Sequence, residues 1–376
     1  MKRFTKAEQL FLHLFRRALW ADVPTTPEAE APMADEATWL RVVDVAVEQT
    51  CQGLLADALS QMPADRRPSK PIYFSMVNMT AEAEDRNRNM NRCLHGLFPM
   101  LERQGIPAWL LKGQGLARCY PQPLHRMSGD IDVFIPTAEA FDRAVELFAK
   151  HLPGDGLEEG HERTFHVDDI AIELHSLIVT DLNGRLRRNF PAWCQQQLAK
   201  PPVMWDDVVL PPASFNAIFV FVHLARHYVG GGIGLRQVAD WMRFLYVHRV
   251  GGDCPLDVAE LERDIEHLGI KRLWQVFATL AVDYLGCPAE VMPLYDPRHH
   301  RDAAMVLRCI FDEGNFGHHD TAMDHRPDGF LLGKAFSFLV QVRRMVHKLQ
   351  LFPRETLFCF PILIRDGLGR IVGRKA

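Results

Sequence analysis

The chain has 376 residues, of which 48% are hydrophobic and 24% charged, and its formal net charge is −4 at pH 7. The length predicts two or three packed units with a sizeable core, while the charge offers no basic field for a nucleic-acid backbone. The eight scattered cysteines have no CxxC spacing, which indicates free thiols in a reducing compartment, with neither a cysteine zinc site nor a disulfide framework. Since the sequence has no run of about 18 apolar residues to span a membrane and its N-terminus is a poor secretory signal, we expect a cytoplasmic protein.

Residues 1–104 form the predicted N-terminal helical region, because apolar residues recur there at spacings of three and four. Leu10, Phe11 and Leu14 belong to the first apolar stripe, and proline-rich breaks separate it from the later ones. The last helix of the region is polar and rich in asparagine, and we expect it to end at Gly105.

The periodicity then changes, and residues 105–200 are predicted to form a small α/β core. Its segments follow one another as strand, short helix, strand, helix and β-hairpin: "IPAWLLKG", "GLARCYP", "DIDVFIP", "TAEAFDRAVELFAKHL" and "HERTFHVDDIAIELHSLI". Thr137 is the expected N-cap of the longer helix, and the hairpin should turn near Asp168 and Asp169. We expect the positive run Arg185–Phe190 to lie in a solvated turn.

Residues 201–376 are predicted to form a C-terminal helical region, since segments from about residue 206 onward carry apolar residues at helical spacing. No internal repeat or low-complexity tract interrupts this order. The predicted fold class is therefore α+β, with a small mixed-sheet core between N-terminal and C-terminal helical regions.

Two aspartates stand one residue apart in the strand "GDIDVFI". Side chains i and i+2 of a strand point to the same face, so Asp130 and Asp132 project together. Two adjacent carboxylates repel each other unless a cation lies between them, and oxygen ligands suit Mg²⁺. The alternative interpretation of this pair is a solvated strand end or a helix-capping cluster.

A third acid, Glu173, projects from the polar face of the hairpin strand "DIAIELHSLI". It joins the two aspartates if its strand lies beside theirs. Three such acids could hold two metal ions roughly 3.5–4 Å apart, the arrangement used in phosphoryl chemistry. An exposed strand position paired with an arginine is the alternative for Glu173.

A glycine turn stands between the first strand and the short helix. Gly113 and Gly115 there could offer backbone N–H groups and the positive end of a helix dipole to a phosphate. Lys112 and Arg126 are candidates for neutralising a triphosphate. Alternatively, they form structural ion pairs with the acids, in which Arg126 braces Asp130.

The motifs "LKGQGL", "GDIDVFI" and "IELH" together resemble the uncharacterised nucleotidyltransferase family of bacteria, a branch of the DNA polymerase beta-like superfamily. The resemblance is clearest over residues 105–180. It implies that Gly113 is the turn glycine, that Asp130 and Asp132 are paired metal ligands, and that Glu173 is the third carboxylate. It also implies transfer of a nucleoside monophosphate from an NTP to an acceptor hydroxyl, with release of pyrophosphate.

The expected catalytic residues are therefore Asp130, Asp132 and Glu173, and the expected cofactor is Mg²⁺, as two ions for which Mn²⁺ can substitute. The expected partners are an NTP and an acceptor that is a small molecule, a protein or an RNA end. The residues expected to contact the nucleotide lie in the glycine turn, before the acidic pair, or at the start of a later glycine-led helix: Lys112, Gly113, Gln114, Arg126, Ser128 and Arg236. The sequence leaves the acceptor, the base preference and the oligomeric state open.

Gln114 departs from the superfamily, which favours Ser or Gly after the turn glycine. A serine hydroxyl at this place often grips a phosphate oxygen. The departure keeps a second hypothesis open, in which the chain is a non-catalytic nucleotide-binding regulatory module, for example a partner in a bacterial defence pair.

Several further polar residues have two interpretations each. His175 could touch a phosphate or act as an acid, or it could be a hydrogen-bonded histidine behind the metal ligands. His223 and His227 lie one helical turn apart, a spacing that can bind zinc but lacks a third ligand, and a structural role is the alternative. Arg236 could pair with Asp240 within one helix, or contact the nucleotide or the acceptor.

Overall fold

The computed structural model of the protein describes residues 3–23, 31–152, 157–159, 161–178, 182–251, 254–315 and 330–361. Helices precede and follow a five-stranded sheet that mixes parallel and antiparallel pairs. This arrangement confirms the predicted α+β class. Among the helices of these ranges, none combines the length and the apolarity that crossing a membrane requires.

The helices before the sheet are α1 (Lys6–Leu19), α2 (Glu36–Glu48), α3 (Gln52–Ser60) and α4 (Lys70–Arg103). α1 begins after Thr5, whose hydroxyl accepts a hydrogen bond from the Glu8 N–H while the Glu8 carboxylate accepts one from the Thr5 N–H. This capping box satisfies two N–H groups that have no partner inside the helix. The chain reverses after α4 at Gly105, where φ is +61°, so the predicted helix end is confirmed.

The sheet and its helices are β1 (Trp109–Leu111), α5 (Gly113–Ala117), β2 (Ile131–Phe134), α6 (Ala138–His151), β3 (Leu157–Glu159), β4 (Glu162–Val167) and β5 (Ile170–His175). The strand order is β1-β2-β5-β4-β3, with β2 and β5 parallel and the other neighbours antiparallel. Thr137 caps α6 by accepting a hydrogen bond from the Ala140 N–H. The hairpin of β4 and β5 turns at Asp168, as predicted, with φ of +52°.

Two elements after the sheet differ from the sequence-based expectation: α7 (Gly184–Leu198), and a hairpin of β6 (Val203–Trp205) and β7 (Val208–Leu210). The run predicted as a turn, Arg185–Phe190, lies inside α7. The Asn183 side chain caps that helix by accepting hydrogen bonds from two backbone N–H groups. Leu186 and Phe190, four residues apart, are fully buried. This apolar stripe makes the segment a helix rather than the predicted turn, although its exposed face is basic.

The helices after the second hairpin include α8 (Ala213–Gly230), α9 (Leu235–Val250), α10 (Val258–Leu268), α11 (Lys271–Leu285), α12 (His300–Glu313) and α13 (Phe330–Leu351). α8 is the most deeply embedded in apolar surroundings, and Phe221 lies at its centre. The Phe221 ring lies 5.1 Å from Trp241 of α9 and 4.7 Å from Trp274 of α11, centroid to centroid. These rings join the three helices in one core.

The buried apolar side chains form two clusters. The smaller cluster packs one face of the sheet, including Ile131, Val133, Ile172 and Leu174, against α6, the second half of α4 and β7. The larger cluster joins the N-terminal helices to the C-terminal ones. The core of the sheet thus draws on elements outside 105–200, and the boundaries of the three regions remain a prediction.

Gly53 of α3 provides a test of how closely α3 packs on the loop that leads to β2. A Cβ atom at this position would lie 1.9 Å from the carbonyl oxygen of His125, a backbone atom that cannot turn aside. We expect Gly53→Ala to lower the free energy of unfolding by about 1–3 kcal/mol or more, measured by chemical denaturation. Gly96→Ala in α4 is the matched control. It should raise that free energy by about 1 kcal/mol, because a Cβ there meets no atom within 4 Å. Equal effects of the two substitutions would contradict the close approach.

Candidate active site

A cavity of about 500 Å³ lies between the polar face of the sheet and helices α8 and α9. The sheet contributes Asp132 and Glu173 to its lining, and the turn after β1 contributes Lys112. The helices contribute His223 of α8 and Arg236 of α9. The cavity therefore has an acidic wall on the sheet and a basic and imidazole-rich wall on the helices.

Asp132 and Glu173 are neighbours because β2 pairs with β5 in parallel, with residues 132 and 173 directly opposite each other. Ile131 and Val133 are buried on the other face of β2, so the alternation along the strand turns Asp132 toward the cavity. The pairing of the Glu173 strand with the Asp132 strand, which the predicted role of Glu173 requires, is therefore present.

The Asp132 carboxylate is buried and has two basic partners. Lys112 Nζ and His175 Nε2 each lie 3.0 Å from Asp132 Oδ1. Burial raises the pKa of this carboxyl, but the attraction of Lys112 and His175 outweighs burial and lowers the pKa to about 2. Asp132 is therefore ionised at neutral pH.

Glu173 shows the opposite shift. Burial, together with the negative charges of Asp130, Asp132 and Glu162, raises the pKa of the Glu173 carboxyl to about 7. His175 Nε2 lies 3.6 Å from Glu173 Oε2. The acidic wall thus concentrates negative charge of the kind that a cation would relieve, and its donors are mostly carboxylate oxygens.

The turn after β1 has an unusual backbone. Lys112 has φ of +53° and ψ of −142°, a combination that residues with a side chain rarely adopt. Gly113 follows with φ of +47°, and a Cβ atom on it would lie 3.4 Å from the carbonyl oxygen of Asp130. Backbone strain of this kind, of about 1–3 kcal/mol, is concentrated at functional sites. Here the strained turn brings the Lys112 ammonium to Asp132.

Asp130 precedes β2 and lines the cavity at the end of a loop that other elements hold in place. Asn87 Nδ2 of α4 donates a hydrogen bond to the carbonyl oxygen of Arg126 at 2.9 Å. Arg236 Nη1 of α9 donates one to the carbonyl oxygen of Met127 at 2.6 Å. Two helices from different parts of the chain therefore fix the loop just before the acid.

Arg126 is only 5% exposed, and its guanidinium binds Asp240 of α9 through two hydrogen bonds of 2.7 Å. The Tyr120 hydroxyl donates to the same carboxylate at 2.7 Å. Arg126 thus forms a structural ion pair, as one interpretation held, but its partner is Asp240 and not Asp130. Arg236, for which a pair with Asp240 was one of two interpretations, instead donates to the Met127 carbonyl oxygen, while Asp240 accepts from Arg126 and Tyr120.

Two of the predicted nucleotide contacts have side chains that turn away from the cavity. Gln114 is buried in α5, and its Nε2 donates hydrogen bonds to Asn91 Oδ1 at 2.9 Å and to the Asn87 carbonyl oxygen at 3.3 Å. Its amide finds partners on α4 and does not line the cavity. The Ser128 hydroxyl is buried without a hydrogen-bond partner and is also outside the lining. Arg236 does line the cavity, and its Nε is buried without a partner.

His223 and His227 lie on the helical wall, with ring centroids 4.4 Å apart. His223 Nε2 lies 3.4 Å from Lys112 Nζ. Burial, reinforced by the charge of Lys112, lowers the pKa of both imidazoles, that of His227 to about 4. The group with metal-ligand geometry in the described part of the chain is Asp132, Glu173 and His175, so the zinc interpretation of the two α8 histidines gains no support.

Two polar residues that contact and support parts of the site, Glu162 and Asn87, were not predicted. Glu162 lies opposite His175 across β4 and β5, and its Oε2 is 3.5 Å from His175 Nδ1. The alternation of β4 could have indicated Glu162, because the hairpin register follows from its turn. Nothing local in the sequence connects Asn87 to the loop that it holds.

Comparisons with known proteins support a transferase assignment at the family level. The model of a family described as "Uncharacterised nucleotidyltransferase" matches residues 35–286, more than half of the chain. This range contains the sheet and all the cavity residues named above. Searches of the curated proteins and of the solved structures gave no match.

The pair of Arg126 with Asp240 leads to a stability prediction. Asp240→Asn leaves the buried Arg126 guanidinium without its counter-charge. We expect it to lower the free energy of unfolding by about 3–5 kcal/mol, measured by chemical denaturation. Asp85→Asn is the matched control on α4, where an exposed carboxylate accepts a hydrogen bond from Arg88 at 3.0 Å. It should have little effect, because solvent screens exposed pairs. A loss in Asp240→Asn no larger than that of the control would contradict the structural importance of the buried pair.

Proposed function

This chain belongs to the family of uncharacterised nucleotidyltransferases, and we propose that it moves a nucleoside monophosphate from an NTP to an acceptor hydroxyl in a metal-dependent reaction. Asp130, Asp132 and Glu173 would be the catalytic residues. Residues 105–200 would carry the chemistry, and the helical regions on either side would shape the acceptor pocket.

The observation that carries the proposal is the register of β2 and β5. It sets Asp132 directly opposite Glu173 at the wall of an open cavity of about 500 Å³. Keeping two carboxylates this close has a cost in repulsion and desolvation, which a binding function for cations explains. A strand end without a function has no need of this arrangement.

The acidic wall fits a divalent cation by its donor set. The oxygens of Asp132 and Glu173 face the cavity, and Asp130 stands beside them at its lining. We propose that these three residues hold Mg²⁺, as two ions, with Mn²⁺ able to substitute. When bound, such ions lower the energy of the attacking and the leaving oxygens in phosphoryl chemistry.

The nucleotide phosphates would lie between the acidic wall and the basic groups around it. Lys112 lines the cavity, where its ammonium forms an ion pair with Asp132 and lies next to His223. From this position the ammonium would neutralise a phosphate bound in the cavity. Gly113 would bring its backbone close to the triphosphate. Arg236 lines the cavity, and its guanidinium would attract an anionic phosphate oxygen there.

The proposed reaction forms one bond and breaks one. The acceptor oxygen attacks the α-phosphorus, the bond from that phosphorus to the oxygen bridging to the β-phosphate breaks, and pyrophosphate leaves. The proton of the acceptor hydroxyl would pass to Asp132 or Glu173, which both line the cavity.

A second candidate, the non-catalytic regulatory module, is favoured by one observation. The Gln114 side chain lies against α4, so the glycine turn presents no side-chain hydroxyl to a phosphate. A protein of this kind would bind an NTP and transfer nothing from it, which separates the two candidates by experiment.

Transfer of label tests the proposed reaction. The purified protein would be incubated with cell extract, a divalent cation and NTPs labelled in either the α- or the γ-phosphate. We expect the α-label to appear on an acceptor and the γ-label to leave in pyrophosphate, because the bond that breaks lies between the α- and β-phosphates. The double variant Asp130→Asn/Asp132→Asn should lose the transfer completely.

The matched control is Asp142→Asn, which removes an exposed carboxylate on α6, away from the cavity. It should transfer label at the rate of the unaltered protein. Transfer of the γ-label to the acceptor would show phosphoryl transfer in place of nucleotidyl transfer. Undiminished transfer by the double variant would eliminate the assigned catalytic residues.

Thermal unfolding tests binding separately from catalysis. A non-hydrolysable NTP with Mn²⁺ should raise the unfolding midpoint, since a ligand at 100 times its Kd adds about 2.7 kcal/mol of stability. Asp130→Asn/Asp132→Asn should show little or no rise, because the carboxylates that would hold the cation are gone. An equal rise in the double variant would place binding elsewhere, whereas a rise without any label transfer favours the regulatory module.

A further inference from the structure

His175 belongs to the same compact group of potential metal ligands as two of the acids. One ligand atom from each of Asp132, Glu173 and His175 can be chosen so that all three lie within 4.8 Å of one another. His175 follows Glu173 by two residues on β5, so both side chains point to the cavity face. The imidazole therefore shares the wall on which the proposed cation would bind.

The spacing of these atoms matches a coordination sphere. His175 Nε2 lies 3.0 Å from Asp132 Oδ1 and 3.6 Å from Glu173 Oε2. Ligand atoms about 2.1 Å from one cation stand about 3.0 Å apart at right angles and about 3.4 Å apart at tetrahedral angles. Without large movement, one ion could thus contact both carboxylates and the imidazole.

The other nitrogen of the ring has its own partner. His175 Nδ1 lies 3.5 Å from Glu162 Oε2, a carboxylate directly opposite on β4. A histidine that binds a metal usually donates its second N–H to a carboxylate, which fixes the tautomer and the ring orientation. Glu162 is placed to do this. In the absence of a cation Nε2 faces Asp132 as a proton donor, and binding of the cation would release that proton to solvent and use the Nε2 lone pair.

Lys112 also contacts Asp132, but it does not block this arrangement. An ionised carboxylate offers about four lone-pair sites on its two oxygens, so Asp132 can accept from an ammonium and bind a cation together. His223 Nε2, 3.4 Å from Lys112 Nζ, gives the ammonium a second acceptor on the helical wall.

We propose that His175 supplies a nitrogen ligand to the cation at Asp132 and Glu173, with Glu162 as the positioning residue for its ring. The site is then a mixed oxygen–nitrogen site that favours a first-row transition-metal cation over Mg²⁺, because imidazole is a better ligand for transition ions. This inference rests on the proposed function only in that a divalent cation binds between the two acids.

Pulsed electron paramagnetic resonance of the Mn²⁺-loaded, full-length protein tests the ligand directly. The unaltered protein should show electron spin echo modulation from a coordinated ¹⁴N nucleus. Labelling the histidines alone with ¹⁵N should replace this modulation by that of ¹⁵N. Absence of nitrogen modulation in protein with bound Mn²⁺ would overturn the proposal, and this reading needs no variant that folds.

Two variants extend the test. His175→Gln should abolish the nitrogen modulation and reduce Mn²⁺ affinity at least tenfold, while Mg²⁺ affinity falls less, so that the preference for Mn²⁺ declines. Glu162→Gln should keep the nitrogen modulation but weaken Mn²⁺ binding by about tenfold, the scale of a positioning partner. His166→Gln, at an exposed position on β4 of the same hairpin, is the control and should change neither quantity.

The outcomes separate this inference from the proposed function. If Asp132→Asn abolishes Mn²⁺ binding while His175→Gln keeps the affinity and the Mn²⁺ preference, His175 only hydrogen-bonds to Asp132 and the inference fails alone. If Mn²⁺ gives no bound spectrum at all, the cation and the proposed metal-dependent reaction fail together. If the nitrogen modulation is present but no label transfer occurs, the inference stands and the reaction is wrong.

Discussion

The parallel pairing of β2 with β5 is the constraint on which the site depends. It places Asp132 opposite Glu173, and the register is fixed from the other face of the sheet, where Ile131, Val133 and Ile172 are buried. A slip by one residue would turn every side chain of a strand to the other face. The apolar alternation that packs the sheet therefore also positions the acids, so folding energy maintains a pair of carboxylates that repel each other.

Burial raises the pKa of both of these carboxyls. Their different charged neighbours decide whether each pKa finally lies above or below its ordinary value. Asp132 has Lys112 and His175 beside it, and its pKa falls to about 2. Glu173 has mostly carboxylates around it, and its pKa rises to about 7. The position of Lys112 depends in turn on the strained backbone after β1. The strained turn thus contributes, together with His175, to keeping Asp132 ionised beside Glu173.

Much of the fold and of the candidate site was predictable from the sequence wherever the pattern is local. The strand alternation around Asp132, the cap at Thr137 and the hairpin turn at Asp168 each follow from a few adjacent residues. The partner of Arg126 could not be predicted in this way, because Asp240 is 114 positions away and belongs to helix α9. The hydrogen bonds of the Gln114 amide to α4 were not predictable for a similar reason, since Asn91 lies 23 positions away on another helix. Periodicity indicates which face of an element is buried, but it carries no information on which distant polar group meets that face.

The two walls of the cavity are supported by different parts of the fold. The smaller apolar cluster supports the sheet with Asp132 and Glu173, while the larger one supports α8 with His223. Lys112 connects them, since its ammonium contacts Asp132 on one side and His223 on the other. A change at His223 would therefore act on Asp132 through the Lys112 ammonium, whereas changes elsewhere on α8 would leave that link in place. The acids and the helical wall are thus built by separate parts of the core and meet only at the cavity.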